Sequence, residues 1–125
     1  MRLSRRGLGA ALATVAVAVG VSACGSGAAT AQARTACVRV NQSLRLFHQS
    51  EKATTPHDKQ TLANEAQGKL LSALAPAAQA TSADGSFNSL MTTIQEADRV
   101  PEKYLVQSLE RQCQVIFSNE PYLAT

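Results

Sequence analysis

Val100-Pro101-Glu102-Lys103-Tyr104-Leu105-Val106-Gln107-Ser108-Leu109-Glu110-Arg111-Gln112-Cys113-Gln114-Val115-Ile116-Phe117 decides how many helices this chain has. Leu105, Leu109, Cys113 and Ile116 recur at intervals of three and four, with Phe117 beside them. That is the period of an amphipathic helix with these residues turned inward, from about Pro101 to Phe117. Its start is the open question. The residue before a proline avoids the helical region, so Val100 interrupts the pattern. Upstream, Ser86 reads as the cap of another helix whose stripe is Phe87, Leu90, Met91, Ile94 and Ala97. Either Pro101 kinks one long helix, or it separates a third helix from a fourth.

Two more helical stretches precede these. Over 35–53, Cys37, Val40, Leu44 and Phe47 form an apolar stripe, with Arg39, Arg45 and Lys52 off it. Thr54-Thr55-Pro56-His57-Asp58 then reads as a turn opening a second helix. Thr55 can cap, Pro56 suits the first helical position, and Asp58 meets the positive helix end. Leu62, Ala66, Leu70, Ala73 and Leu74 make its buried face. Gly68 interrupts that helix at a cost of about 1 kcal/mol relative to Ala, which suggests a close helix approach there. Pro76 ends or kinks the helix, residues 79–86 are expected to be a loop, and residues 118–125 have no period and read as a tail.

The amino-terminal stretch is of a different kind. Met1-Arg2-Leu3-Ser4-Arg5-Arg6 is basic, residues 7–23 carry no charge, and the run ends in the small pair Ser22-Ala23. These are the marks of an export signal. The run is shorter and poorer in large apolar residues than the roughly 20 that a membrane-spanning helix needs. Val21-Ser22-Ala23-Cys24 resembles the lipobox of bacterial lipoprotein precursors, with Val21 where leucine is commoner. The resemblance covers only residues 1–24. It implies cleavage before Cys24, a diacylglyceryl group on the Cys24 sulfur, and acyl chains such as palmitate holding the protein to the outer side of a membrane. Two or more such chains anchor stably where one binds only reversibly. Arg5-Arg6 also resembles a twin-arginine export signal, although the same pair simply supplies charge to the basic head of an ordinary one.

The resemblance settles the cysteine count. With lipid on Cys24, Cys37 and Cys113 remain as a pair in an oxidising compartment, and a Cys37–Cys113 disulfide is predicted. That bond decides the topology. In an up-down-up-down arrangement the first helix starts where the fourth ends, so the two cysteines meet. In a three-helix arrangement Cys113 would lie at the far end of a helix about 28 Å long, whereas a disulfide needs Cα atoms within about 7 Å. The expected fold is therefore all-α: a small antiparallel four-helix bundle with one disulfide linking its first and last helices. The expected organisation is a signal peptide over 1–23, a lipidated flexible tether over 24–34, the bundle over 35–117 and a tail over 118–125. The tether, which has no large apolar residue, would hold the domain about 17 Å from the membrane.

Charge narrows the partners. The formal net charge of +3 belongs to Arg2, Arg5 and Arg6. The remaining chain balances nine Lys and Arg against nine Asp and Glu. It has no basic cluster to meet a phosphate backbone, so nucleic acid is not an expected partner.

Few residues suggest chemistry. His48 and His57, the only histidines, could approach across the turn and bind a metal or haem with help from Glu51 or Asp58; equally, they are solvated polar residues beside a loop. Met91 lies on an apolar stripe and reads as core. Tyr104 reads as a rim residue of the core, and Tyr122 in the tail as the better partner anchor. Asp98 and Glu102 flank Pro101 as ordinary solvated acids. No catalytic serine elbow, S-x-x-K or phosphate-binding glycine loop occurs. The first functional expectation is a non-enzymatic, lipid-anchored envelope module that contacts another protein or a surface ligand, with no cofactor. The second is a carrier of a small ligand, haem or metal. The least favoured is an enzyme with an unrecognised site.

Overall fold

A computed structural model describes residues 26–118. The expected export signal, the lipobox-like motif with Cys24, and Tyr122 in the expected tail all lie outside the described residues. Within them the chain is helical, with no strand. The α-helices are α1 (Ser26–Lys52), α2 (Pro56–Ser72), α3 (Leu74–Ala83), α4 (Asn88–Gln95) and α5 (Val106–Phe117), and short 3₁₀ turns flank α4 and precede α5. α2 and α3 form one rod bent at Ala73, so the architecture is four antiparallel rods. Cys37 and Cys113 are joined by a disulfide, with Cα atoms 5.4 Å apart. The chain break near Pro101 is real: a 3₁₀ turn over Glu102–Tyr104 intervenes before α5.

The bend in the second rod follows from Pro76. A proline has no N–H to donate to the carbonyl four residues back, here that of Ser72. That carbonyl instead accepts from the Arg39 guanidinium of α1. The helix resumes at once, with Ala77 N–H donating to Ala73 O at 3.1 Å. At the start of α2, Thr55 Oγ1 accepts from Asp58 N–H at 3.1 Å and Pro56 opens the helix, as expected.

Two segments expected to be irregular are helical. Residues 26–34, read as part of a tether, form the first turns of α1, and Ala29 and Ala33 are 0% exposed. Residues 79–83, read as loop, complete α3, and Ala80 is buried. One cause underlies both. α3 packs on α1, and the buried alanines 29, 33 and 36 of α1 join 73, 77 and 80 of the second rod in the core. Alanine has the highest helix propensity and loses no side-chain entropy on burial. Thr81, within this seam, satisfies its hydroxyl by donating to Ala77 O at 2.9 Å.

The remaining core is drawn from the expected stripes: Cys37, Val40, Leu44, Leu70, Phe87, Leu90, Ile94, Leu109, Cys113 and Ile116 are buried together, whereas Phe47, Leu62 and Leu74, also expected on them, are only half-buried. Met91 is half-buried against them, consistent with packing. Gln112 links α5 to α4, its Nε2 donating to Thr93 Oγ1 at 3.0 Å.

Three details depart from expectation. Ser86 is not the cap. Asp84 accepts from Ser86 N–H at 2.9 Å and starts the turn before α4, and this bond holds its carboxyl below the usual carboxylate range. Phe117, expected inside, is 40% exposed at the end of α5. Gly68 marks no close approach, since a Cβ added there would meet nothing within 4 Å. Gly68→Ala should therefore raise stability by about 1 kcal/mol through helix propensity alone, read as a higher urea midpoint at unchanged slope.

Candidate functional site

The fold leaves a cleft of about 710 Å³ between the carboxy-terminal half of α1, α2 and the segment 97–103. It exists because of the Pro101 break. Two 3₁₀ turns, Glu96–Asp98 and Glu102–Tyr104, stand on either side of Val100-Pro101 where a continuous helix would otherwise run. Val100 and Pro101 themselves line the cleft.

The cleft's wall is mixed. Phe47 of α1 and Leu70 of α2 are apolar, Gln60 and Asn64 of α2 offer amides, and Lys59 and Arg99 bring charge. Gln60 and Asn64 are themselves hydrogen-bonded, Nε2 to Oδ1 at 2.8 Å. Lys59 and Arg99 are exposed and make no ion pair with another described residue. A volume of this size, with apolar surface and a few convergent polar groups, lies within the range of small-ligand sites.

Glu102 is the acid on the inner side. It was expected to be solvated, yet it is half-buried. Burial raises its carboxyl above the usual range, against the opposing pull of the Ser43 hydroxyl and of nearby His48. Ser43 is fully buried on α1. Its Oγ lies 2.6 Å from Glu102 Oε1 and 2.6 Å from the Ala66 carbonyl oxygen of α2. One side chain thus ties three elements together at the cleft wall. Ser43 was not singled out from the sequence, although a signal was there: it stands three residues after Val40 and four before Phe47, on the buried stripe, where a hydroxyl requires a partner.

The two histidines go separate ways. His48 is exposed on α1, with Nδ1 3.4 Å from Glu51 Oε2 and Nε2 3.6 Å from Glu110 Oε1 of α5. His57 is exposed in the first turn of α2. His48 therefore meets Glu51, as considered, and Glu110, and among the described residues no hydrogen bond, ion pair or ring contact joins it to His57. Among the described residues, no group of three or more His, Cys, Asp or Glu side chains could hold a metal ion. Tyr104 is 67% exposed, beyond a rim position, with the Lys103 ammonium 4.8 Å from its ring centre.

No described helix is long and apolar enough to cross a membrane. Comparison of the chain with protein-family models, with curated proteins and with solved structures finds no match.

Proposed function

We propose that this chain is a lipid-anchored protein of the cell envelope, a non-enzymatic binding module that engages its partner through the cleft. The lipobox-like Val21-Ser22-Ala23-Cys24 supports the anchor. The Cys37–Cys113 bond favours a compartment outside the cytoplasm, because structural disulfides persist where the surroundings are oxidising. The observation that carries the binding reading is the cleft itself, with apolar, amide and charged groups converging on one concave surface. Because α1 begins at Ser26, an acylated Cys24 would hold the domain at the membrane surface, closer than a ten-residue flexible tether would.

The test has two arms. In the first, the wild-type protein partitions with membranes and takes up a labelled palmitate analogue, and Cys24→Ser releases it to the soluble fraction. Soluble wild-type protein would remove the anchor. In the second, a photo-crosslinker at Asn64, in the cleft, captures a partner in intact cells, whereas one at exposed Gln114 on α5 does not. The reverse pattern would move the contact surface elsewhere. The cleft's size also favours a carrier of a small ligand. Native mass spectrometry of protein taken from its own membrane would then show a bound mass that Ala63→Trp, which fills the cleft, removes.

A further inference from the structure

We infer that Glu102 carries a proton in this conformation, and that losing it loosens the 97–104 segment forming one wall of the cleft. The reasoning is a count of hydrogens. Two oxygens 2.6 Å apart need a hydrogen between them; without one, lone pairs face each other inside normal hydrogen-bond distance. Ser43 Oγ has two such contacts, to Ala66 O and to Glu102 Oε1, both at 2.6 Å. A serine hydroxyl holds one hydrogen and a backbone carbonyl none. The second hydrogen must come from Glu102. The satisfied arrangement is a chain: the carboxylic acid O–H donates to Ser43 Oγ, and Ser43 O–H donates to Ala66 O.

Ionisation breaks the chain at one link. If Ser43 turns to the carboxylate, its lone pairs face Ala66 O. If it stays on Ala66 O, a half-buried carboxylate faces its lone pairs. Either way a 2.6 Å contact must open. The segment has little else polar to hold it. Its own bonds are local, such as Val100 N–H to Glu96 O at 2.8 Å and Leu105 N–H to Glu102 O at 2.8 Å. Among the described residues, its other hydrogen bond to the rods α1 and α2 is Gln67 Nε2 to Ala97 O at 3.4 Å.

Other charges around Glu102 must be separated from it. α1 contributes His48 and Glu51, α2 Lys59, and α5 Glu110, which with Glu51 flanks His48. The segment itself carries Asp98, Arg99 and Lys103. The sign follows from linkage. Burial raises the Glu102 pKa above its ordinary value of 4.5, so the docked state binds the proton more tightly than the released one. Docking is then firmest below the ordinary carboxylate range and weakens as pH rises through the raised value. The latch does not depend on the cleft binding anything; only its bearing on binding rests on the proposed function.

Hydrogen exchange on the purified full chain in detergent tests this. Exchange of the Tyr104 and Leu105 amides, corrected for intrinsic rates and referenced to Cys113 in α5, is compared at about pH 4 and about pH 7, on either side of the carboxylate window. In wild type the corrected opening should be about fivefold greater at the higher pH, the factor one net hydrogen bond supplies. In Glu102→Gln the side-chain amide donates to Ser43 at every pH, and the ratio should fall to one. In Ser43→Ala opening should be high at both. Equal opening in wild type at the two pH values would overturn the proposal. So would a ratio that survives in Glu102→Gln, which would assign the effect to His48, Glu51 or Glu110. Neither outcome bears on the anchor or the crosslinking pattern, so the two ideas fail separately.

Discussion

Reducing the bond between Cys37 and Cys113 is expected to lower the stability of this domain by about 4 kcal/mol. The two cysteines are 76 positions apart in sequence, so the bond closes a loop containing most of the described chain. In the chain-entropy account, that closure removes conformations chiefly from the unfolded ensemble. A domain of this size has about 5–15 kcal/mol in total, so the loss takes a large share of it. α5 should suffer first. It is 12 residues long, short of what a helix needs to persist alone, and depends on the sulfur bridge, Leu109, Ile116 and the Gln112 contacts to stay docked. Urea titrations of oxidised and reduced protein should differ in midpoint by roughly 2 M at a slope of about 2 kcal/mol per molar. The double variant Cys37→Ala, Cys113→Ala should follow the reduced protein. Coincident curves for oxidised and reduced protein would show that the bridge is incidental to the fold.

The parts of this fold that could be read from the sequence are those where large apolar residues keep a period. Val40 and Leu44, Leu90 and Ile94, Leu109 and Ile116 each announce a buried face, and each is buried. Pro101 by itself left a kinked helix and a true break both open, and the break became legible only through the Cys37–Cys113 pairing, which needs the chain to turn back before α5. Residues 26–34 were not legible. An alanine-rich stretch beside Gly-Ser-Gly has no apolar contrast, and what makes it helical is a facing row of alanines some forty to fifty positions away. The same tertiary cause hid 79–83. The candidate site divides the same way. Ser43 was missed, although its place on the stripe marks it as a hydroxyl in need of a buried partner. Nothing near Glu102 in sequence shows that the Pro101 turns fold it inward against α1. His48 and His57 show the converse limit. Nearness across a turn does not converge two side chains, and His48 instead finds Glu110 on α5, a partner no local pattern could supply.

Ala33→Leu tests the most consequential of these differences, namely whether residues 26–34 are structure or spacer. Ala33 is 0% exposed, in a part of the core where the buried alanines 29, 33 and 36 of α1 and 77 and 80 of α3 cluster. Such seams let helix axes approach to about 8 Å, the near end of the usual range. A leucine there adds three carbons that the closed interface cannot hold. The helices must part, and the neighbouring alanines lose dispersion contacts they cannot regain. Overpacking of this kind costs about 1–3 kcal/mol, and the upper half is expected because the whole seam is fully buried. Ala31→Leu is the matched control. Ala31 is exposed on the same helix, leucine is nearly as good a helix former as alanine, and surface changes of this sort stay within about 0.5 kcal/mol. Urea midpoints for the two variants should therefore separate clearly, with Ala33→Leu low and Ala31→Leu near wild type. If the two coincide with wild type, residues 26–34 do not pack on α3. An anchored Cys24 would then hold the bundle on a loose leash after all.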